Sequence, residues 1–168
     1  MDAAYAARLL RKIRLLLLLP IAALVFSGAT ALPLETELKI VGEIVGADNA
    51  DRSGFATWIG RVRDALIDTN SKYPFLAYGT DWLAFGHFVI AIAFIGPLRD
   101  PVKNKWVVQF GMIACVLVVP FALTAGAVRG IPLGWRFIDC GFGICGFIPL
   151  WICWKNIQKL ENHYNNAA

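Results

Sequence analysis

The sequence predicts an all-α integral membrane protein: a four-helix transmembrane bundle with one or two short amphipathic helices in its outer loop. The first observation is the composition, because apolar and aromatic residue types make up 58% of the 168 residues and the mean hydropathy is +0.59. Soluble domains are about 45–50% apolar, so lipid is the favoured solvent for this chain. The second is that the apolar residues form four runs, each near the length of about 20 residues at which a helix crosses a bilayer.

The four runs define one predicted membrane domain over residues 1–168. Only 17% of the residues are charged, and most of them lie between the runs rather than within them. A long polar connection separates the first run from the second. The predicted spans are residues 15–34, 74–98, 106–128 and 131–154, and the outer connection is residues 35–73.

The first apolar run is compatible with two interpretations. Basic residues precede it and the small residues 29–31 follow its apolar core, which is the pattern of a cleaved signal peptide. The run is also long enough to be retained as a spanning helix. Whether residues 1–31 remain in the mature chain is therefore open from the sequence. The basic residues are Arg8, Arg11, Lys12 and Arg14.

Short basic segments predict the topology. They occur at the N-terminus, in the loop 99–105 and in the tail after Trp154. Lysine and arginine are retained on the cytoplasmic side of membranes, and four crossings place all three segments on the same side. We therefore predict cytoplasmic N- and C-termini in a bacterial inner membrane or an equivalent membrane. Residues 35–73 then lie on the outer side.

The outer connection contains an amphipathic helical pattern at residues 54–69. Ser53 stands in the N-cap position, and apolar residues follow at the spacings i, i+3, i+4, i+7 and i+11. In one hypothesis this helix docks a partner. In two others it lies in the membrane interface or caps the bundle. The docking residues would be Phe55, Trp58, Ile59 and Val62.

Polar residues within the spans predict a cluster in the outer half of the membrane. A buried charge costs several kcal/mol, so such residues are expected to face inward and to be paired. Arg136 and Asp139 have the i, i+3 spacing of a helical ion pair, and Asp81 is expected at a similar depth. The cluster is a salt-bridge lock, a ligand or proton site, or a set of snorkelling side chains. Its members are Asp81, His87, Arg129, Arg136 and Asp139.

Small residues predict where two helices approach closely. Gly143 and Gly146 continue the face of the last span that carries Arg136 and Asp139. Glycine has no side chain beyond Cα, so a stripe of this kind lets another helix pack against the backbone.

The sequence predicts no metal site. His87 is either hydrogen-bonded in a helix contact or part of a proton relay or ligand site. The other histidine, His163, lies far away in the tail, and the chain has no HExxH motif and no cysteine–histidine set. The four cysteines lie in apolar runs and are interpreted as small buried residues. No motif specifies a cofactor.

Two functions are compatible with these patterns. The first is a non-catalytic accessory or scaffold subunit of a membrane complex, with another membrane protein or a second copy of the chain as its partner. The second is a protein that binds a lipid, a quinone or another small amphipath through the outer cluster, as an enzyme or a proton-coupled carrier. The basic residues lie in short clusters beside apolar runs, which favours the bilayer as a partner and does not favour nucleic acid.

Overall fold

The computed structural model describes residues 3–51 and 53–165, and the regular structure in these residues is helical. Seven α-helices and one 3₁₀ turn, Pro74–Ala77, follow one another along the described chain. The α-helices are α1 (Ala3–Ala31), α2 (Leu34–Ile44), α3 (Gly54–Lys72), α4 (Tyr78–Ala93), α5 (Ile95–Arg99), α6 (Lys105–Val128) and α7 (Leu133–Asn165).

Four helical stretches are long and apolar enough to cross a membrane. They are Ala4–Ala31, Pro74–Arg99, Lys105–Val128 and Leu133–Asn165. The predicted fold class is therefore confirmed: the chain is all-α, with four membrane-length helices and additional short ones. This is the arrangement of a multi-pass membrane protein.

The helix boundaries differ from the predicted spans at prolines. α1 ends at Ala31 because Leu32 and Pro33 form the turn into α2. The second span is interrupted at Phe94, between α4 and α5. Pro97 favours this break, since proline has no N–H to donate to the carbonyl four residues earlier and its ring clashes with that carbonyl. It is not sufficient by itself, because α1, α6 and α7 continue through Pro20, Pro120 and Pro149.

The described residues divide into two compact units. Residues 24–90 form the first unit, which contains α2, α3 and most of α4. The described residues before Leu24 and from Ala91 onward form the second, which contains the antiparallel pair of α6 and α7.

Glycines bring α6 and α7 into close contact in the second unit, as the sequence predicts. A Cβ atom added at Gly143 would lie 2.5 Å from the carbonyl oxygen of Cys115, and one added at Gly146 would lie 2.9 Å from the Cys115 Sγ. The turn between the helices ends α6 with Gly130 at φ +68°. Ile131 N–H donates to the Gly126 carbonyl at 2.9 Å, which completes a Schellman cap.

The start of α1 packs against the end of α7 in the same unit. Ile13, Leu17, Ile157 and Leu160 are completely buried. The Sγ atom of Cys153 lies 4.0 Å from the carbonyl oxygen of Ile13, so the two helices lie side by side here. Both helices therefore remain folded beyond the residues predicted to span the membrane.

Candidate functional site

A cleft of about 340 Å³ lies within the unit formed by residues 24–90. The end of α1, the start of α2, the last turns of α3 and the first turn of α4 form its walls. Six apolar and five polar residues line it, and none of them is basic. The lining residues are Ala31, Leu32, Pro33, Leu34, Glu35, Thr36, Leu66, Asn70, Ala77, Thr80 and Asp81.

Asp81, which the sequence singles out, lines this cleft from the first turn of α4. The sequence predicts that Asp81 lies inside a continuous spanning helix. Instead, Pro74–Ala77 is a separate 3₁₀ turn and α4 begins at Tyr78. A carboxylate in the first turn of a helix is stabilised by the free N–H groups at that end. The side chain is exposed, and it forms no hydrogen bond or ion pair with a residue that the structure describes.

Glu35, the second carboxylate of the cleft, is fully engaged. It accepts a hydrogen bond from Lys39 Nζ at 2.7 Å and another from Asn70 Nδ2 at 2.9 Å. These bonds, that of Lys39 first, lower the pKa of Glu35 below its usual value. Because Asn70 belongs to α3, the carboxylate ties α2 to α3. Glu35 therefore builds a wall of the cleft, whereas Asp81 forms no such bond with a described residue.

Replacing Glu35 with glutamine is expected to weaken the packing of α2 on α3 at neutral pH but not in acid. A group whose pKa is lowered by folding stabilises the protein above its unfolded-state pKa, and this contribution is lost as the pH falls through the folded-state value. The ordinary glutamate pKa is about 4.3. Unfolding midpoints from circular dichroism should therefore differ between wild type and Glu35→Gln at neutral pH and converge well below that value. A difference that persists in acid would contradict this role.

The other end of the α2/α3 hairpin is held by an arginine. Arg63 donates two parallel hydrogen bonds to Asp48, at 2.7 and 2.9 Å, and one to Asp64 at 2.9 Å. These bonds raise the pKa of Arg63 above its usual value. Ala47 is completely buried and lies against Gly60. The hairpin is thus fixed at its loop by Arg63 and at its open end by Glu35.

The predicted N-cap of α3 is present, because the Ser53 hydroxyl accepts from Ala56 N–H at 3.2 Å. The predicted docking stripe is not uniformly accessible. Ile59 is only 3% exposed, and Trp58 and Val62 are half-buried. Phe55 is the exposed member, at 47%. Ile59 therefore belongs to the interior of this unit and does not form an open docking surface.

Sequence reasoning missed a second exposed apolar face, on α2. Ile40 and Ile44 are 53% and 78% exposed. Their i, i+4 spacing is a signal that could have identified the face from the sequence, since residues four apart share one side of a helix.

Arg136 binds backbone carbonyls rather than a carboxylate. Its Nε donates to the Ile131 carbonyl at 2.8 Å, and an Nη atom lies 3.5 Å from the Leu123 carbonyl oxygen. The expected ion pair with Asp139 is not formed. The Arg136 side chain instead fills the space beside Gly126, where an added Cβ would lie 2.7 Å from its Cγ and Cδ. Arg136 therefore fastens the turn between α6 and α7.

Of the two other residues of the predicted cluster, Arg129 is exposed and His87 is bonded within its own helix. Arg129 is the C-cap residue of α6, and its N–H donates to the Ala125 carbonyl at 3.0 Å. His87 Nδ1 lies 2.7 Å from the Leu83 carbonyl oxygen in its own helix. A carbonyl can only accept, so Nδ1 is the donor and Nε2 is left as an acceptor in the neutral ring. His87 does not line the cleft.

Comparison with known proteins adds no assignment to this geometry. No protein-family model, no curated protein and no solved structure matches the chain. Among the described residues, no group of three histidine, cysteine, aspartate or glutamate side chains is placed to hold a metal ion. The chemistry that the cleft offers is an uncompensated carboxylate beside hydroxyl, amide and apolar groups.

Proposed function

We propose that this protein binds a small amphipathic molecule in the cleft of residues 24–90, with a cationic or hydrogen-bond-donating head group against Asp81. The observation that carries the proposal is that Asp81 lines a cleft of about 340 Å³ without a partner among the described residues. Small-molecule sites are typically about 300–1,000 Å³, mostly apolar, with a few polar groups that orient the ligand. The cleft lies at the lower end of this volume range, and six of its eleven lining residues are apolar.

The charge of the lining selects the ligand class. Lys39 neutralises Glu35, and no basic residue lines the cleft, so Asp81 gives it a net negative charge. An ammonium or amide N–H would gain a charge-assisted hydrogen bond there. The threonine hydroxyls of the lining, at positions 36 and 80, supply further polar contacts. An aliphatic tail would contact the apolar residues 31–34.

The test compares two amphipaths of equal chain length and opposite charge, dodecylamine and dodecanoate. The purified full chain in mild detergent should bind the amine more tightly in native mass spectrometry or isothermal titration. A hydrogen bond to a charged group is worth about 1.5–3 kcal/mol, so Asp81→Asn should weaken amine binding by about tenfold or more.

The matched control is Asp68→Asn. It removes one carboxylate from α3, where Asp68 pairs with Lys72 outside the cleft. This variant should bind the amine like wild type. Equal affinity for amine and dodecanoate, or an Asp81→Asn variant with unchanged affinity, would refute the proposal.

The accessory-subunit hypothesis is a second candidate, favoured by the exposed apolar face of α2. Ile40 and Ile44 lie on a helix that is fixed to α3 at both ends, so they form a constant surface for another membrane protein. Protein purified from native membranes distinguishes the two candidates. A stoichiometric subunit that stays bound to the Asp81→Asn variant and protects α2 from labelling would favour this role. A co-purifying amphipath that the same substitution removes would favour the cleft.

A further inference from the structure

One end of the second unit carries exposed basic residues that form no ion pair within the described part of the chain. Seven basic side chains there are exposed, and none forms an ion pair with any residue in the described ranges. We call this group the basic end. It consists of Arg8, Arg11, Lys12, Arg14, Arg99, Lys155 and Lys159.

The basic end is a folded array rather than a loose tail. Residues 11–14 of α1 surround the buried Ile13, which contacts Cys153 of α7. Lys155 lies two residues after Cys153, and Lys159 lies one helical turn later. The start of α6 reaches the same level, because Lys105 Nζ binds the Glu161 carboxylate at 2.7 Å. The starts of α1 and α6 and the end of α7 thus meet at this end of the unit.

The first unit shows that pairing is common elsewhere in this chain. On α2 and α3, Lys39, Arg63 and Lys72 each hold a carboxylate at 2.7 Å. Residues 35–72 contain seven acidic and five basic residues, whereas residues 1–14 contain one acidic and four basic residues. Among the described residues, the basic side chains that form no ion pair are therefore concentrated at the basic end, where an external anion could bind them.

The neighbouring aromatic residues indicate what that anion is. Lys155 Nζ lies 5.7 Å from the ring centroid of Trp151 and 5.2 Å from that of Trp154. Tryptophan in membrane proteins concentrates at the level of the lipid headgroups. The basic end begins where the apolar part of α7 stops, so its cations lie within reach of the phosphates of the adjacent leaflet.

We propose that the basic end binds the headgroups of anionic phospholipids. Lysine and arginine clusters next to a membrane span attract anionic lipid, and the attraction is screened by salt. Arginine adds bidentate contacts to phosphate oxygens. The proposed ligand is thus a phosphodiester headgroup with a net negative charge, and it is independent of the cleft around Asp81.

The test uses the delipidated full chain in mild detergent, incubated with equal amounts of phosphatidylglycerol and phosphatidylcholine that have the same acyl chains. Native mass spectrometry should show several-fold more bound phosphatidylglycerol, and added salt should reduce this preference. The variant Arg8→Gln/Arg11→Gln/Lys12→Gln should lose most of it. All three side chains are exposed, and circular dichroism will confirm that the helices are retained.

The matched control removes three cations from the first unit: Lys39→Gln/Arg61→Gln/Lys72→Gln. This variant has the same net charge and should keep the preference of wild type. Equal loss in both triple variants would show an effect of net charge alone and would overturn the proposal. Equal binding of phosphatidylglycerol and phosphatidylcholine by the wild type would also overturn the proposal. Lys155→Gln/Lys159→Gln provides a second variant on α7 and should also reduce the preference.

Discussion

Replacing Gly143 with alanine is expected to lower the stability of the α6/α7 pair strongly. The new Cβ would lie 2.5 Å from the carbonyl oxygen of Cys115. That oxygen belongs to a helix backbone and cannot rotate away as a side chain can, so the helices would have to separate. Overpacking of this kind typically costs about 1–3 kcal/mol. A lower midpoint is expected when unfolding by SDS or heat is followed by circular dichroism.

Gly141 provides the matched control on the same helix. A Cβ added there meets no atom within 4 Å. Alanine also favours a helix over glycine by about 0.8–1.0 kcal/mol, so Gly141→Ala should unfold at the same midpoint as wild type or at a higher one. If both variants behaved alike, Gly143 would not be a point of close contact between α6 and α7.

The sequence predicts the four membrane-length helices well because their signal is local. About 20 apolar residues in succession have few alternatives to a spanning helix, and the cap at Ser53 is likewise encoded within a few residues. The helix boundaries are less well predicted, because hydropathy scores the polarity of a residue and not its ability to form the backbone hydrogen bonds of a helix. Pro33 and Pro97 cost little in apolarity, yet each marks a break in the helix.

The candidate site is only partly predictable, because its contacts are not local. Composition is sufficient to identify Asp81 as an unusual residue within an apolar run. Its neighbours in the cleft, however, come from the end of α1 and from α2 and α3. The wall between α2 and α3 depends on a hydrogen bond between Asn70 and Glu35, which are 35 residues apart in the chain. No periodicity encodes such a contact. From the sequence alone, Asp81 is therefore predicted to join a cluster with charged residues of the last span.

Arg136 shows why charge pairing alone was a poor guide. The spacing to Asp139 suggested an ion pair, but peptide carbonyls at the end of a helix compete for the same guanidinium. The last carbonyls of α6 have no partner within that helix. The Ile131 carbonyl, in the turn that follows, accepts from Arg136 at 2.8 Å. An arginine next to a helix that ends in a glycine cap can thus bind a backbone carbonyl of the turn as readily as it can pair with a carboxylate.

The effect of alanine at Gly126 is expected to reverse when Arg136 is removed. In wild type the new Cβ would lie 2.7 Å from Arg136 Cγ and Cδ and displace the side chain from the Ile131 carbonyl. Loss of a hydrogen bond from a charged group costs about 1.5–3 kcal/mol, so Gly126→Ala and Arg136→Ala should each destabilise the protein. In the Arg136→Ala background the space is empty, and alanine at position 126 should stabilise α6 by up to about 1 kcal/mol.

A double-mutant cycle measures this coupling through the four unfolding midpoints, and residues in contact typically couple by about 0.5–3 kcal/mol. Adding Asp139→Asn to Arg136→Ala distinguishes two roles of Arg136: closing the turn between α6 and α7, or forming a salt-bridge lock with Asp139. A lock predicts recovery, because the buried carboxylate left unpaired by Arg136→Ala would be neutralised. The turn predicts no recovery, since Asp139 does not pair with Arg136. Two results together would contradict the role of Arg136 in the turn. The first is recovery of stability when Asp139→Asn is added to Arg136→Ala, and the second is the same effect of Gly126→Ala in both backgrounds. They would instead support the ion pair with Asp139 that the sequence spacing predicts.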